Sequence, residues 1–318
     1  MFKEIKRASF KHKNSKIKYY ILNYLSWFTP AWFFRRQLAR KLVLPEKKEE
    51  QQYILDRVNY YNRLKEKTTL PETAIHLRDL QLSKHKVYAF DTYRYMRYFP
   101  RDVRFCALFG DITYVPDVPS LVKSRPIGDN NHQSVLFKLN KIRHFIFIKD
   151  SNRFEDKKNM LVGRTKAQQE QRVRFLSQYI NHPLCNIGQV NRNMNPQFIR
   201  PRMTIEEHLK YKFILCLEGN DVASNLKWVM SSNSLAVMPQ PKYETWFMEG
   251  QLVPNVHYVL IKDDFSDLEE RLNYYIKNTG EALKIIENAH RYVAQFKDEK
   301  REEQISLLVL DKYFKLTN

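Results

Sequence analysis

Residues 211–228 read YKFILCLEGNDVASNLKW. The apolar run 213–217 meets Glu218-Gly219-Asn220-Asp221, then resumes as a helix-compatible segment over 222–230. A short, continuous apolar run bounded by turn residues is the pattern of a parallel strand buried on both faces. The spacing therefore predicts a strand, a turn and a helix opening at the turn. In α/β proteins such turns hold ligands, because amides at a helix N-terminus point outward and carry positive potential. The chain has only 7 glycines in 318 residues, and Gly219 stands at this turn.

Beyond this stretch, 235–238 reads as another short strand and 257–261 as a further one. Glu244 falls in the loop between them, flanked by Tyr243 and Trp246, where a helix cap or an ion-pair partner is an open reading. Ser266 followed by Glu269 has the spacing of a capping box and predicts a helix start. Asp263-Asp264 reads as part of that cap. Helices are expected to about residue 296 and again over 302–314.

Moving back toward the N-terminus, MLVGRTKAQQEQRVRFL (160–176) predicts a strand ending at Gly163-Arg164-Thr165 and a helix carrying Arg172 and Arg174. Arginine presents paired donors to phosphate oxygens, so these positions suit a diphosphate; an arginine on a helix also serves as plain surface. In the stretch 130–150, Lys138, Lys141, Arg143 and His144 line either an anionic cleft or one solvated strand edge. Residues 103–109 predict a buried strand ending at Gly110-Asp111, with Pro116 and Pro119 keeping the next segment extended. A carboxylate at the carboxyl edge of a sheet is placed for chemistry, and is equally a turn or cap aspartate. Residues 87–99 predict a strand, a turn and a helix that stops before Pro100, and 53–65 has helical spacing.

At the N-terminus Lys3, Lys6, Arg7, Lys11, Lys13, Lys16 and Lys18 precede YYILNYLSWFTPAWFFRR (19–36), closed by Arg35, Arg36, Arg40 and Lys41. Aromatic residues beside basic ones suit the headgroup–acyl boundary of an anionic bilayer. A helix packed on the protein's own body, with solvated basic residues, is the alternative. The whole chain carries a net charge of +19, which calls for an anionic partner: nucleic acid, anionic lipid or a phosphorylated substrate. No zinc-finger, RRM or KH pattern accompanies the charge, so nucleic acid is not expected.

Composition sets the remaining bounds. Hydrophobic residues make up 43% and aromatics 14%, as in a folded chain of about two domains. Cys106, Cys185 and Cys216 lack metal-site spacing and read as reduced, buried thiols. No apolar run approaches the ~18 residues of a membrane span, and the basic N-terminus lacks the features of a secretory signal. The absence of GxGxxG, Walker and GxSxG patterns argues against dinucleotide oxidoreductases, P-loop NTPases and serine hydrolases.

Taken together, Gly219 through Lys227, Ser231-Ser232-Asn233-Ser234 and YETWFMEGQLVPNVHYVLIKDDFSDL (243–268) resemble glycosyltransferase family 90, over roughly 85–296. The nearest likeness is to bacterial lipopolysaccharide core glycosyltransferases. The resemblance implies an α/β, GT-B-like fold: two Rossmann-like domains facing a cleft, here with a basic helical N-terminal segment and a helical C-terminus. The domains expected are 1–70 (N-terminal segment), 71–155 (acceptor side), 156–296 (nucleotide-sugar side) and 297–318 (C-terminal helix). It implies metal-independent, inverting transfer of a hexose from a UDP-sugar, UDP-glucose or UDP-galactose, with no cofactor.

Residue by residue, Asp111, followed by Val115-Pro116, resembles the family's catalytic base. Gly163, Arg164 and Thr165 with Arg172 resemble a donor-binding motif, at a different spacing for Arg172 from that of eukaryotic members. Gly219, Asn220, Asp221, Val222, Ala223 and Ser224 with Lys227 resemble the donor loop. Many members place an arginine two residues before that lysine, where this chain has Asn225. Glu244 resembles an acidic residue that meets donor-sugar or ribose hydroxyls. The implied acceptor is an inner-core heptose of lipopolysaccharide, reached at the cytoplasmic face of the inner membrane by a peripheral enzyme on an anionic surface. The other functions considered are a non-catalytic membrane-surface binding protein and a transferase acting on capsule polysaccharide or protein.

Overall fold

The structure is a computed structural model that describes residue 12 and residues 14–82, 85–192 and 194–318. Lys3, Lys6, Arg7, Lys11 and Lys13 lie outside the described residues. The strands are β1 (Ile75–His76), β2 (Arg104–Leu108), β3 (Ser120–Val122), β4 (Ser124–Pro126), β5 (Ser134–Leu136), β6 (Lys158–Thr165), β7 (Cys185–Gln189), β8 (Tyr211–Leu215), β9 (Leu235–Met238), β10 (Tyr243–Thr245) and β11 (Val259–Leu260). The α-helices are α1 (Lys16–Phe28), α2 (Ala31–Arg35), α3 (Leu38–Leu42), α4 (Lys48–Tyr61), α5 (Lys86–Met96), α6 (Lys141–His144), α7 (Glu170–Tyr179), α8 (Ile205–His208), α9 (Leu226–Met230), α10 (Leu268–Lys277), α11 (Thr279–Ala294) and α12 (Glu299–Thr317). They gather into two compact units. One contains Arg143–Pro241 and Gln251–Gln295; the other contains Ser15–Ile142, Lys242–Gly250 and Phe296–Asn318.

The first of these units is built on a parallel sheet in the order β11-β9-β8-β6-β7. Counted along the chain, this is the 2-1-3-4-5 order of a doubly wound sheet. Every residue of β8 and β9 is buried, which accounts for their unbroken apolar sequence. Phe213, Leu215, Leu235, Val237 and Val259 share a core with Phe175 and Leu176 of α7, Leu272 of α10 and Ile286 of α11. Gly163 belongs to this packing, since a Cβ there would stand 3.0 Å from that of Leu215 on the adjacent strand. The short helix α8 opens with a capping box, Thr204 Oγ1 accepting from Glu207 N–H and the Glu207 carboxylate from Thr204 N–H.

The other unit holds a sheet in the order β1-β2-β3-β5. Here β2, β3 and β5 run parallel and β1 antiparallel at one edge. β4 pairs separately with β10, antiparallel. The 19-residue α12 packs along α3, α4 and α5 and buries Ile305, Val309, Leu310, Tyr313 and Phe314. Asp298 caps it, accepting from the amides of Lys300 and Arg301. Within its buried face Glu302 forms an ion pair with Arg57, Nη1 to Oε1 at 2.6 Å, and its Oε2 accepts from Lys138 Nζ at 2.8 Å and Trp246 Nε1 at 2.7 Å.

Four local expectations are corrected. Residues 87–96 form one helix rather than a strand and a turn, because α5 is buried on several sides and its apolar spacing no longer shows one stripe. The helix expected over 222–230 spans only Leu226–Met230. Before it, Gly219 N–H donates to Asp221 O at 2.9 Å and Asn225 Nδ2 to Leu215 O at 2.9 Å, so the chain closes as a turn. Glu244 lies in β10 rather than in a loop, its register partner being Arg125 of β4. At α10 the cap position is Asp267, while Ser266 donates through its amide and its Oγ to Asp264.

Candidate functional site

In the five-stranded sheet the chain passes from β6 outward to β7, then returns across β6 to β8. The direction of winding reverses between β6 and β8. Crevices outside the carboxyl ends of strands at such a reversal are where open α/β sheets bind ligands. The carboxyl ends here are Thr165-Lys166 on β6 and Cys216 through Asn220 after β8.

The first turns of α7 hold this second segment. Arg172 donates from Nε to Glu218 O at 2.9 Å, from Nη2 to Leu217 O at 2.9 Å, and from Nη1 to Lys166 O at 3.3 Å. One guanidinium thus ties both strand ends at the reversal. Gln171 Nε2 reaches Glu218 O and Gly219 O, each at 3.3 Å, and Gln169 Nε2 donates to Asn220 Oδ1 at 2.7 Å. Gly219 makes the close approach possible: a Cβ there would lie 3.1 Å from Arg172 Nη2. Burial, then repulsion from Arg143, lowers the Arg172 pKa to about 10, with Asp221 opposing. A partly desolvated guanidinium with a second cation nearby is an environment that a bound anion stabilises.

The predicted donor residues divide on this geometry. Arg172, Gly219 and Asn220 come together, and Thr165 ends the adjoining strand partly exposed, its Oγ1 3.4 Å from Lys166 O. Arg164 turns back along β7 instead. It donates to Asn186 O at 2.7 Å, Asn186 Oδ1 at 2.9 Å and Pro201 O at 2.8 Å, and burial lowers its pKa. Asp221, Val222 and Ala223 are buried and Ser224 is half-buried. Lys227 is also buried, with its Nζ 5.8 Å from the centre of the Phe145 ring. Asn225 holds the end of β8 through Leu215 O.

Asp111 and Glu244 belong to the other unit. Asp111 follows Gly110, whose φ of +135° turns the chain out of β2. Its carboxylate, 28% exposed, pairs with the Nζ of Lys123, a residue between β3 and β4 that is itself buried. The pair therefore stands at the carboxyl edge of the parallel strands β2 and β3. Glu244 is 1% exposed. Arg125 Nε donates to its Oε1 at 2.8 Å, Tyr60 Oη donates to its Oε2, and Arg63 Nη2 stands 4.0 Å from Oε1. Arg125 also donates to the carbonyls of Tyr60 at 2.7 Å and Ser134 at 3.0 Å. Of the candidates for an anionic cleft, Arg143 is exposed, whereas Lys138 binds Glu302, Lys141 pairs with Asp91 at 3.6 Å, and His144 is buried.

Gln169, Gln171, Lys123 and Arg125 escaped sequence reading. The two glutamines serve segments 47–51 positions away, and no local pattern marks them. Lys123 and Arg125 carried the one available mark, two charged residues within the otherwise apolar and hydroxylic stretch 120–126.

Comparison with known proteins adds to this geometry. A family model described as Glycosyl transferase family 90 matches residues 136–318. The chain is 44% identical over 305 residues to "O-glucosyltransferase LpsA" of Dichelobacter nodosus, covering 95% of this chain and 96% of that protein. Weaker similarity reaches two viral proteins. "Uncharacterized protein 027R" of Frog virus 3 (isolate Goorha) is 29% identical over 38% of this chain and 15% of its own length. "Uncharacterized protein 179R" of Invertebrate iridescent virus 6 is 30% identical over 28% of this chain and 8% of its own. Matched over more than half its length by the family model, and nearly end to end by a transferase relative, the chain belongs to glycosyltransferase family 90.

Proposed function

We propose that this glycosyltransferase moves a hexose, by inversion, from a UDP-sugar to an inner-core heptose of lipopolysaccharide. The observation that carries the donor side is the sheet reversal at β6 and β8, where Arg172 holds the loop around Gly219. A diphosphate at this loop meets the exposed Asn220 and the guanidinium of Arg172, whose charge the neighbouring Arg143 repels. The name of the D. nodosus relative supports glucose as the sugar.

Asp111 is the general base of this reading. Its carboxylate takes the proton of the acceptor hydroxyl as that oxygen attacks the anomeric carbon and the bond to UDP breaks. Inversion in a single displacement requires one base and no carboxylate nucleophile. Lys123 fixes the carboxylate's position. The charge on departing UDP is met by arginine rather than by a metal ion, so turnover is expected to persist in a chelator. The unit carrying the five-stranded sheet takes the donor and the unit carrying Asp111 the acceptor, the division of roles in a GT-B fold. The acceptor lipid sets the workplace as the cytoplasmic face of the inner membrane. Among the described residues no helix is long and apolar enough to cross it.

The test is transfer by purified protein to lipopolysaccharide core, with UDP-glucose and UDP-galactose compared, followed by mass spectrometry and linkage analysis. Asp111→Asn is expected to lower kcat by about 10²–10⁴; it also leaves the buried Lys123 without this carboxylate and lowers the melting temperature, so kcat is compared below the variant's own melting transition. Full turnover by that variant removes Asp111 from the base role. Failure of both UDP-sugars to react removes the donor assignment.

A further inference from the structure

We propose that α1 and the turn into α2 dock the protein on an anionic lipid bilayer, with Ile17, Ile21, Leu25 and Phe28 entering the headgroup–acyl boundary. The inference is independent of the sugar chemistry. It starts from a helix that is apolar on two sides. One side packs on α5: the rings of Tyr20, Tyr24 and Trp27 lie 6.3, 4.9 and 6.1 Å from that of Phe90, and Trp27 lies 4.3 Å from Tyr93. Tyr19 Oη donates to Asp91 Oδ1 at 2.8 Å, and Arg97 donates to Ser26 Oγ. These contacts hold α1 in place.

The other side is open. Ile17 is 74% exposed, Leu25 63% and Phe28 80%. With Ile21 these residues recur at spacings of four, four and three, which places them on one stripe of the helix. Trp32 and Phe33 of α2 extend the exposed apolar surface past Pro30, while Phe34 turns inward to Tyr98. Single exposed apolar residues are ordinary, but an aligned series marks an interaction surface.

Charge identifies the partner. From Ile5 to Pro45 the sequence contains no Asp or Glu and ten Lys or Arg. Among the described residues Lys16, Lys18, Arg35, Arg36 and Arg40 are exposed beside the apolar stripe. A second copy of the chain would set this basic surface against itself. A nucleic acid would meet the basic residues and leave the aliphatic stripe in water. A bilayer with anionic headgroups satisfies both.

Co-sedimentation of the full chain with vesicles tests the assignment, comparing phosphatidylethanolamine–phosphatidylglycerol with phosphatidylcholine. The wild type is expected to bind the anionic vesicles. Leu25→Glu/Phe28→Glu and Arg35→Glu/Arg36→Glu are each expected to weaken that binding by about tenfold or more. Both pairs are exposed, so melting temperatures should not move; Ile21→Ser is the milder variant should either pair fail to fold. Equal binding of the wild type to both lipids, or undiminished binding by the Leu25/Phe28 variant, overturns the proposal. So does a lipid-free dimer in sedimentation velocity that Phe28→Glu dissolves, which would give the face to a second copy.

Discussion

At Arg172 a single side chain joins the ends of two strands. Its three nitrogens meet the carbonyls of Lys166, Leu217 and Glu218, and that contact exists because position 219 has no Cβ. Gly219→Ala places a methyl 3.1 Å from Nη2, closer than an ordinary contact, and the guanidinium has to give way. Since the obstacle is the far end of a flexible side chain, the fold should survive. The expected result is a donor KM raised roughly tenfold with little change in melting temperature, the scale of one weakened charged hydrogen bond. Steady-state kinetics at varied UDP-sugar check it, and an unchanged KM separates this loop from donor binding. The glycine and the arginine were both legible in the sequence as donor-site candidates. What Arg172 holds was not, because Glu218 lies 46 positions away.

At the scale of elements, α12 carries a buried charge, Glu302. Burial opposes ionisation of Glu302, but Lys138 and Arg57 outweigh it and hold the carboxyl below its ordinary value. The sign follows from linkage. A glutamate with a lowered folded pKa contributes stability that is complete above the unfolded value of about 4.3 and is lost as pH falls through the folded one. Glu302→Gln is therefore expected to cost about 3–5 kcal/mol at neutral pH, because Arg57 and Lys138 stay buried without a counter-charge. Urea melts across pH should show the gap between variant and wild type narrowing in acid. Element type was readable wherever burial left a clear period, as in β8 with its unbroken apolar run or α11 with its single buried stripe. It was misread at α5, which is enclosed on several sides, and at residues 222–225, where Asn225 caps β8 and delays the helix.

Over the whole molecule the excess of 54 Lys and Arg above 35 Asp and Glu favours a phosphorylated, membrane-borne acceptor. Exposed charges are screened within about 8 Å at physiological ionic strength. Raising salt from low to moderate concentration is thus expected to raise KM for lipopolysaccharide core several-fold and to change KM for the UDP-sugar much less. Equal shifts would assign the basic surface to the donor.

The sequence by itself determined the alternation of strands and helices, the glycine-marked turn and the basic character, since each follows from spacing or residue type along a short stretch, and its motifs carried the resemblance to the family. Only the tertiary structure decided which candidate side chains are available. It drew residues 242–250 into the unit of residues 15–142, pairing Glu244 with Arg125 across 119 positions. It turned Arg164 onto carbonyl groups and buried Lys227, while leaving Asp111 at a strand edge beside Lys123. The physical reason is the same in each case. A buried charge must find its hydrogen-bonding partner inside the protein, and the chain's path in space, not the distance along it, selects that partner.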